Sequence, residues 1–170
     1  MKRRLILAGV LTAVALSSCG GGSDTKGEPK KGSARAPSRQ EFIKQGDTIC
    51  RAGVRTARRQ TKHINAVTNR ATDAETLLAD LEPLFREGLQ DQRATVRKFE
   101  RLTPPRGEEK QFQKMLAYFK EQAALLSRLV EAADRRDAAG FTAAGKEQRH
   151  LGAEVGMFLR GYGFTACGGI

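Results

Sequence analysis

The residues in this chain best suited to chemistry are two histidines, His63 and His150, and the carboxylate of Glu147. In Glu147-Gln148-Arg149-His150 a carboxylate and an imidazole stand three residues apart. On a helix that spacing puts both on one face, where a bundle can present them to a metal ion. Such a site needs a second copy, and His63 is preceded at the same spacing by Gln60, which is not a carboxylate. Around the helical wheel, His150 also points away from the stripe of Phe141, Val155 and Leu159, toward solvent. An exposed polar pair is the simpler account. A metal or cofactor carrier using Glu147, His150 and His63 is therefore the second reading, and the pattern calls for no cofactor.

Nucleophilic catalysis finds less. Past the N-terminal segment the serines are Ser38 and Ser127, and neither sits in a Gly-x-Ser-x-Gly elbow. No glycine loop of a phosphate-cradling type occurs, and the carboxylates are spread over helix surfaces. The expectation is a protein that is not an enzyme. Charge is more informative. Arg51, Arg55, Arg58, Arg59 and Lys62 recur every three or four residues, and Arg93 and Arg97 extend the theme. On a helix they make a basic stripe, suited to anionic lipid headgroups or cell-wall polymers. A solvated surface face is the competing account. No aromatics interleave with these cations, which argues against nucleic acid.

These residues are positioned by helices. The chain beyond residue 37 lacks strand-like alternation and is rich in Ala, Leu, Arg, Glu and Gln. Ser38 and Glu41 form a capping box that opens the first helix. Phe42, Gly46, Ile49, Gly53, Ala57, Ile64 and Val67 then make its apolar stripe. Thr72 and Glu75 open the second, with a kink expected between Ala79 and Pro83. The third follows Thr103-Pro104-Pro105-Arg106-Gly107 and carries Phe112, Met115, Phe119, Leu126 and Val130. Asp137 is the expected N-cap of the fourth, which buries Leu151, Val155, Leu159 and Tyr162. That helix holds Gly145, Gly152 and Gly156, each costing about 1 kcal/mol against alanine. Close approach of a neighbouring helix is one use for them, and a groove lined by backbone is the other.

The N-terminus reads as an export signal. Lys2, Arg3 and Arg4 precede an apolar run over residues 5–16. A spanning helix needs roughly 20 apolar residues, so this run is too short to cross a bilayer. Leu16-Ser17-Ser18-Cys19 resembles the lipobox of bacterial lipoproteins. The resemblance implies cleavage after residue 18 and acylation of Cys19, with palmitate-type chains anchoring it on the extracytoplasmic face of the cell membrane. Residues 20–37 are Gly, Ser, Lys and Pro with almost no large apolar side chain, a flexible tether spanning about 23–25 Å. The formal charge of +11 becomes +8 once Lys2, Arg3 and Arg4 leave with the signal. Export also takes the chain away from the genome.

Three cysteines occur, and the lipobox uses one. Cys50 and Cys167 remain, an even pair in a compartment that oxidises thiols. They lack CxxC spacing and a nearby histidine, which favours a structural disulfide over a redox or metal pair. Short connections between four amphipathic helices favour an up-down-up-down four-helix bundle, all-α, whose chain returns to its start. There the two cysteines meet, so helix count and disulfide support each other. Tyr162-Gly163-Phe164-Thr165-Ala166-Cys167-Gly168, taken with Cys50, resembles the ending of small uncharacterised helical lipoproteins and secreted proteins of high-GC Gram-positive bacteria. That resemblance implies a disulfide-closed helical domain and transfers no catalytic residue. The organisation expected is a signal peptide at 1–18, a lipidated tether at 19–37 and a helical domain at 38–170. Its expected role is binding or interaction, with an anionic surface or an envelope protein as partner.

Overall fold

The computed structural model describes residues 35–167, so the expected signal, Cys19 and most of the expected tether lie outside the described residues. Four helices form a bundle: α1 (Arg39–Arg70), α2 (Ala74–Glu100), α3 (Glu109–Asp134) and α4 (Ala138–Tyr162). Local chemistry sets their ends. Ser38 Oγ accepts from Glu41 N at 3.2 Å while the Glu41 carboxylate accepts from Ser38 N at 2.7 Å, the reciprocal pair that opens α1. Asp73, one residue later than expected, caps α2 by accepting from Thr76 N at 2.8 Å. Thr72 instead donates its hydroxyl to Asp73. Asp137 caps α4 through Gly140 N at 2.9 Å. The helix α2 runs on through Pro83, where the ring leaves one carbonyl without its usual donor. One residue on, Leu84 O accepts an additional hydrogen bond from Gln60 Nε2, which ties α2 to α1.

Sequential neighbours are antiparallel. Gly46 of α1 lies beside Phe99 of α2, and Gln60 beside Leu84. Gln92 of α2 meets Phe119 and Gln122 of α3, and Arg128 of α3 meets Glu147 of α4. The core is densest at the pole where the described chain begins and ends. Phe42, fully buried, packs edge-on against Phe112, Tyr162 and Phe164 with ring centroids 5.6, 5.9 and 6.0 Å away. Edge-to-face geometry suits the ring quadrupoles and adds about 0.5–1.5 kcal/mol per pair beyond burial. Toward the other pole a smaller cluster of Leu89, Ala123 and Val130 continues the core.

The same aromatic pole is locked by the chain beyond α4. Gly163 takes φ 114°, a left-handed conformation open to glycine, and the Phe164 amide returns to Leu159 O at 3.0 Å. This reversal drives Phe164 into the core. Its ring fills the space that Gly46 leaves free: a Cβ there would lie 2.4 Å from Phe164 Cε1. Cys50 and Cys167 then join, bringing their Cα atoms within 5.0 Å. The expected terminal disulfide and the returning bundle topology are both present. Among the described residues, the buried core side chains and the closing bond fall in the compact unit Arg35–Ile170.

Candidate functional site

The bundle is closed along three of its seams and open along the fourth. α1 packs on α2, α2 on α3 and α3 on α4, but α1 and α4 nowhere bring Cα atoms within 8 Å of each other. Between them runs a cleft of about 530 Å³. The Cys50–Cys167 disulfide closes one end of it, and Cys50, Gly53, Ala57 and Gln60, at helical spacing, present one α1 face to it. Gln148, Gly152 and Gly156 form the opposing α4 wall on the same spacing. Phe119, Leu126, Val155 and Leu159 supply an apolar floor. The volume is that of a small-molecule site.

The two uses considered for the α4 glycines can now be separated. A Cβ built on Gly152 would meet nothing within 4 Å. On Gly156 it would meet only the side chain of Arg160, its neighbour one turn along, at 3.2 Å. On Gly145 it would be at ordinary van der Waals distance from Arg149 and Leu129. None of these glycines is there to let another helix approach. Close approach belongs to Gly46, on α1, and Gly152 and Gly156 widen the cleft.

Polar groups ring the apolar floor. Gln60, Gln92, Gln122 and Gln148 supply four side-chain amides, and Thr56 and Thr95 two hydroxyls. Gln92 Nε2 makes long contacts with Phe119 O and Gln122 Oε1, at 3.3 and 3.4 Å. Gln148 Oε1 is buried and has no hydrogen-bond partner among the described residues. A buried acceptor left in that state costs about 1–3 kcal/mol unless a donor reaches it. Two charges also line the cleft, Asp91 from α2 and Arg149 from α4. Neither takes part in an ion pair among the described residues.

The residues singled out for metal do not converge. Glu147 is engaged by Arg128, whose Nη2 lies 3.0 Å from its Oε1, and that hydrogen-bonded guanidinium holds its carboxyl below the ordinary glutamate range. His150 is exposed, with Glu154 4.0 Å from its Nε2. His63 sits on α1 against a separate hollow beside Val67 and Leu84. Among the described residues no group of three or more His, Cys, Asp or Glu side chains is placed to hold a metal ion.

The cationic stripe is laid out as its spacing predicts. Arg51, Arg55, Arg58, Arg59 and Lys62 are all exposed on α1, and Arg93 and Arg97 on α2. Arg51 and Arg59 reach back to the hydroxyls of Thr48 and Thr56, at 3.0 and 3.4 Å. None of the five α1 cations has an acidic partner among the described residues, and residues 48–70 contain no Asp or Glu at all. The helix thus carries a basic outer face and a neutral face toward the cleft.

Two polar arrangements at the aromatic pole escaped sequence reasoning. Asp47, 5% exposed, accepts from the amides of Thr165 and Ala166 at 3.1 and 2.8 Å and from Thr165 Oγ1 at 2.6 Å. Burial pushes its pKa up, but those donors, with the Cys167 amide, outweigh burial and hold it below the ordinary aspartate value. Tyr162 donates its hydroxyl to Glu108, and Arg39 stacks over its ring 4.6 Å from the centroid. Burial first, then the Glu108 carboxylate, raises the phenol pKa far above that of free tyrosine. Both arrangements fasten α1 to the end of α4 and have structural work there. In comparisons with protein-family models, curated proteins and solved structures, nothing matches this chain. Fold and site define a disulfide-closed helical bundle with a ligand-sized cleft along its open seam.

Proposed function

We propose that the chain is a non-enzymatic binding protein, held by lipid at Cys19 on the extracytoplasmic face of the cell membrane, whose binding element is the α1/α4 cleft. The open seam carries the reading: a bundle of this size gains by closing its fourth interface, since buried apolar area stabilises by about 25 cal/mol per Å². Here that interface is opened by glycine on one wall and lined by amides. Amides and hydroxyls hold a ligand by hydrogen bonds and are poor nucleophiles. The lipobox supplies the location, and the exposed α1 cations supply a face for anionic lipid or a cell-wall polymer.

The test uses the full chain in a bacterial host fed an alkyne-bearing fatty acid. Labelled protein that an external protease removes from intact spheroplasts, with labelling lost in Cys19→Ser, supports the tether. Unlabelled protein retained inside the cell overturns it. A fragment screen followed by amide NMR on oxidised Arg35–Ile170 tests the cleft, with hits expected to shift Gly53, Gly152 and Gly156. Fragments that settle only elsewhere would overturn the cleft as the binding element.

A further inference from the structure

The cleft lining resolves into three kinds of group whose arrangement specifies a ligand. Its amides each carry a donor and an acceptor, the same pair that one peptide unit presents. A peptide N–H is the kind of donor that the buried, unpartnered Gln148 Oε1 requires. Asp91 and Arg149 bring one negative and one positive charge from different helices, each without an ion-pair partner among the described residues. The lining is therefore electrically balanced within a strongly basic chain, and it matches a molecule that carries one charge of each sign. Helix register gives a second constraint. Phe85 of α2 packs on Phe141 of α4, so Asp91 and Arg149, six and eight residues further along parallel helices, lie at about the same height and face each other across the cleft. The only aromatic ring in the lining, Phe119, is 5% exposed and tilted against Phe99 at 4.7 Å. No open ring face is offered for a sugar to stack on.

From these observations we infer that the cleft takes a free, zwitterionic short peptide of small residues that lies across it. Its ammonium group pairs with Asp91, its carboxylate with Arg149, and its peptide units with the glutamine amides over the apolar floor. Arg149 suits the carboxylate end because its guanidinium can bond both oxygens at once. The glycine wall leaves room for the backbone without selecting side chains, so recognition is of the peptide frame and its two ends. This inference rests on the cleft being the binding element.

The experiment is NMR titration of oxidised, nitrogen-15-labelled Arg35–Ile170 with tetra-alanine. The controls are the same peptide acetylated and amidated at its ends, and cellobiose. Tetra-alanine should shift the amides of Gly53, Gly152 and Gly156, and the capped peptide should bind about tenfold more weakly, the scale of one lost charge-assisted hydrogen bond. In Asp91→Asn or Arg149→Met the gap between free and capped peptide should shrink. Gly152→Leu, whose unchanged spectrum elsewhere reports an intact fold, should abolish the shifts. Equal binding of free and capped peptide, or a preference for cellobiose, overturns the ligand class and leaves the cleft standing. Failure of all three probes, while screened fragments still enter the cleft, does the same. If no molecule of any class enters, the cleft itself falls as the binding element.

Discussion

Asp47 of α1 sits beneath the backbone of Thr165, its carboxylate accepting from both the amide and the hydroxyl of that residue at 3.1 and 2.6 Å. They are separated by 118 positions in sequence. One carboxylate thus organises the stretch that delivers Cys167 to Cys50. An anion that collects several donors is held more firmly than a neutral acceptor would be.

Replacing Asp47 by Ala should cost about 2–3 kcal/mol at neutral pH, because several donors lose a charged acceptor. The carboxyl is depressed in the folded state, so its contribution is complete above the unfolded aspartate value, about 3.9, and fades as pH falls through the lower folded value. Urea unfolding of wild type and Asp47→Ala at pH 7 and at pH 2.5 checks this. The gap should narrow in acid, and a gap unchanged with pH would show that packing rather than the charge is at work.

Two glycines should respond in opposite directions to added volume. Gly46→Ala pushes a methyl into the Phe164 ring and should destabilise by about 1–3 kcal/mol, the usual scale of overpacking. Gly152→Ala meets open space and should stabilise by up to about 1 kcal/mol from helix propensity alone. Thermal unfolding of the two variants beside wild type measures both. A destabilised Gly152→Ala would mean that α4 packs more closely there than the open seam allows.

Neutralising Arg55, Arg58 and Lys62 together to Gln should leave the melting temperature nearly unchanged, since these side chains are exposed and without ion-pair partners among the described residues. Affinity for vesicles containing anionic phosphatidylglycerol should fall by about 1 kcal/mol per charge removed. The wild-type protein should also lose that binding as salt rises, because screening shortens the reach of surface charge to about 8 Å at physiological ionic strength. Sedimentation with vesicles at two salt concentrations checks it. Equal binding by wild type and the triple variant would remove the cationic face from the proposal.

The fold was legible where local chemistry and periodicity agree. Ser38 with Glu41, the stripes of α2 and α3, and the meeting of Cys50 with Cys167 all follow from helix caps, helical spacing and an even number of antiparallel helices. Less of the site could be read. Gly152 and Gly156 mark it in sequence, but one glycine pattern serves both contact and cavity, and only the positions of neighbouring atoms distinguish them. The glutamines that line the cleft are ordinary surface residues by type and gain meaning from an interface that fails to close. Asp47 was invisible for a related reason. Its partners are backbone amides far along the chain, and backbone carries no sequence signal.

The position of the disulfide also decides how the domain bears a pull. Tension applied from the residues before Ser38 enters α1 at its first turn, and only about three turns of that helix precede Cys50. Peeling can travel that far and no further. Beyond Cys50 the load passes into a covalent ring that runs through all four helices, so Gly53 to Gln60 lie on its sheltered side. A pull of that kind would strain the first few turns of α1 while the cleft kept its shape.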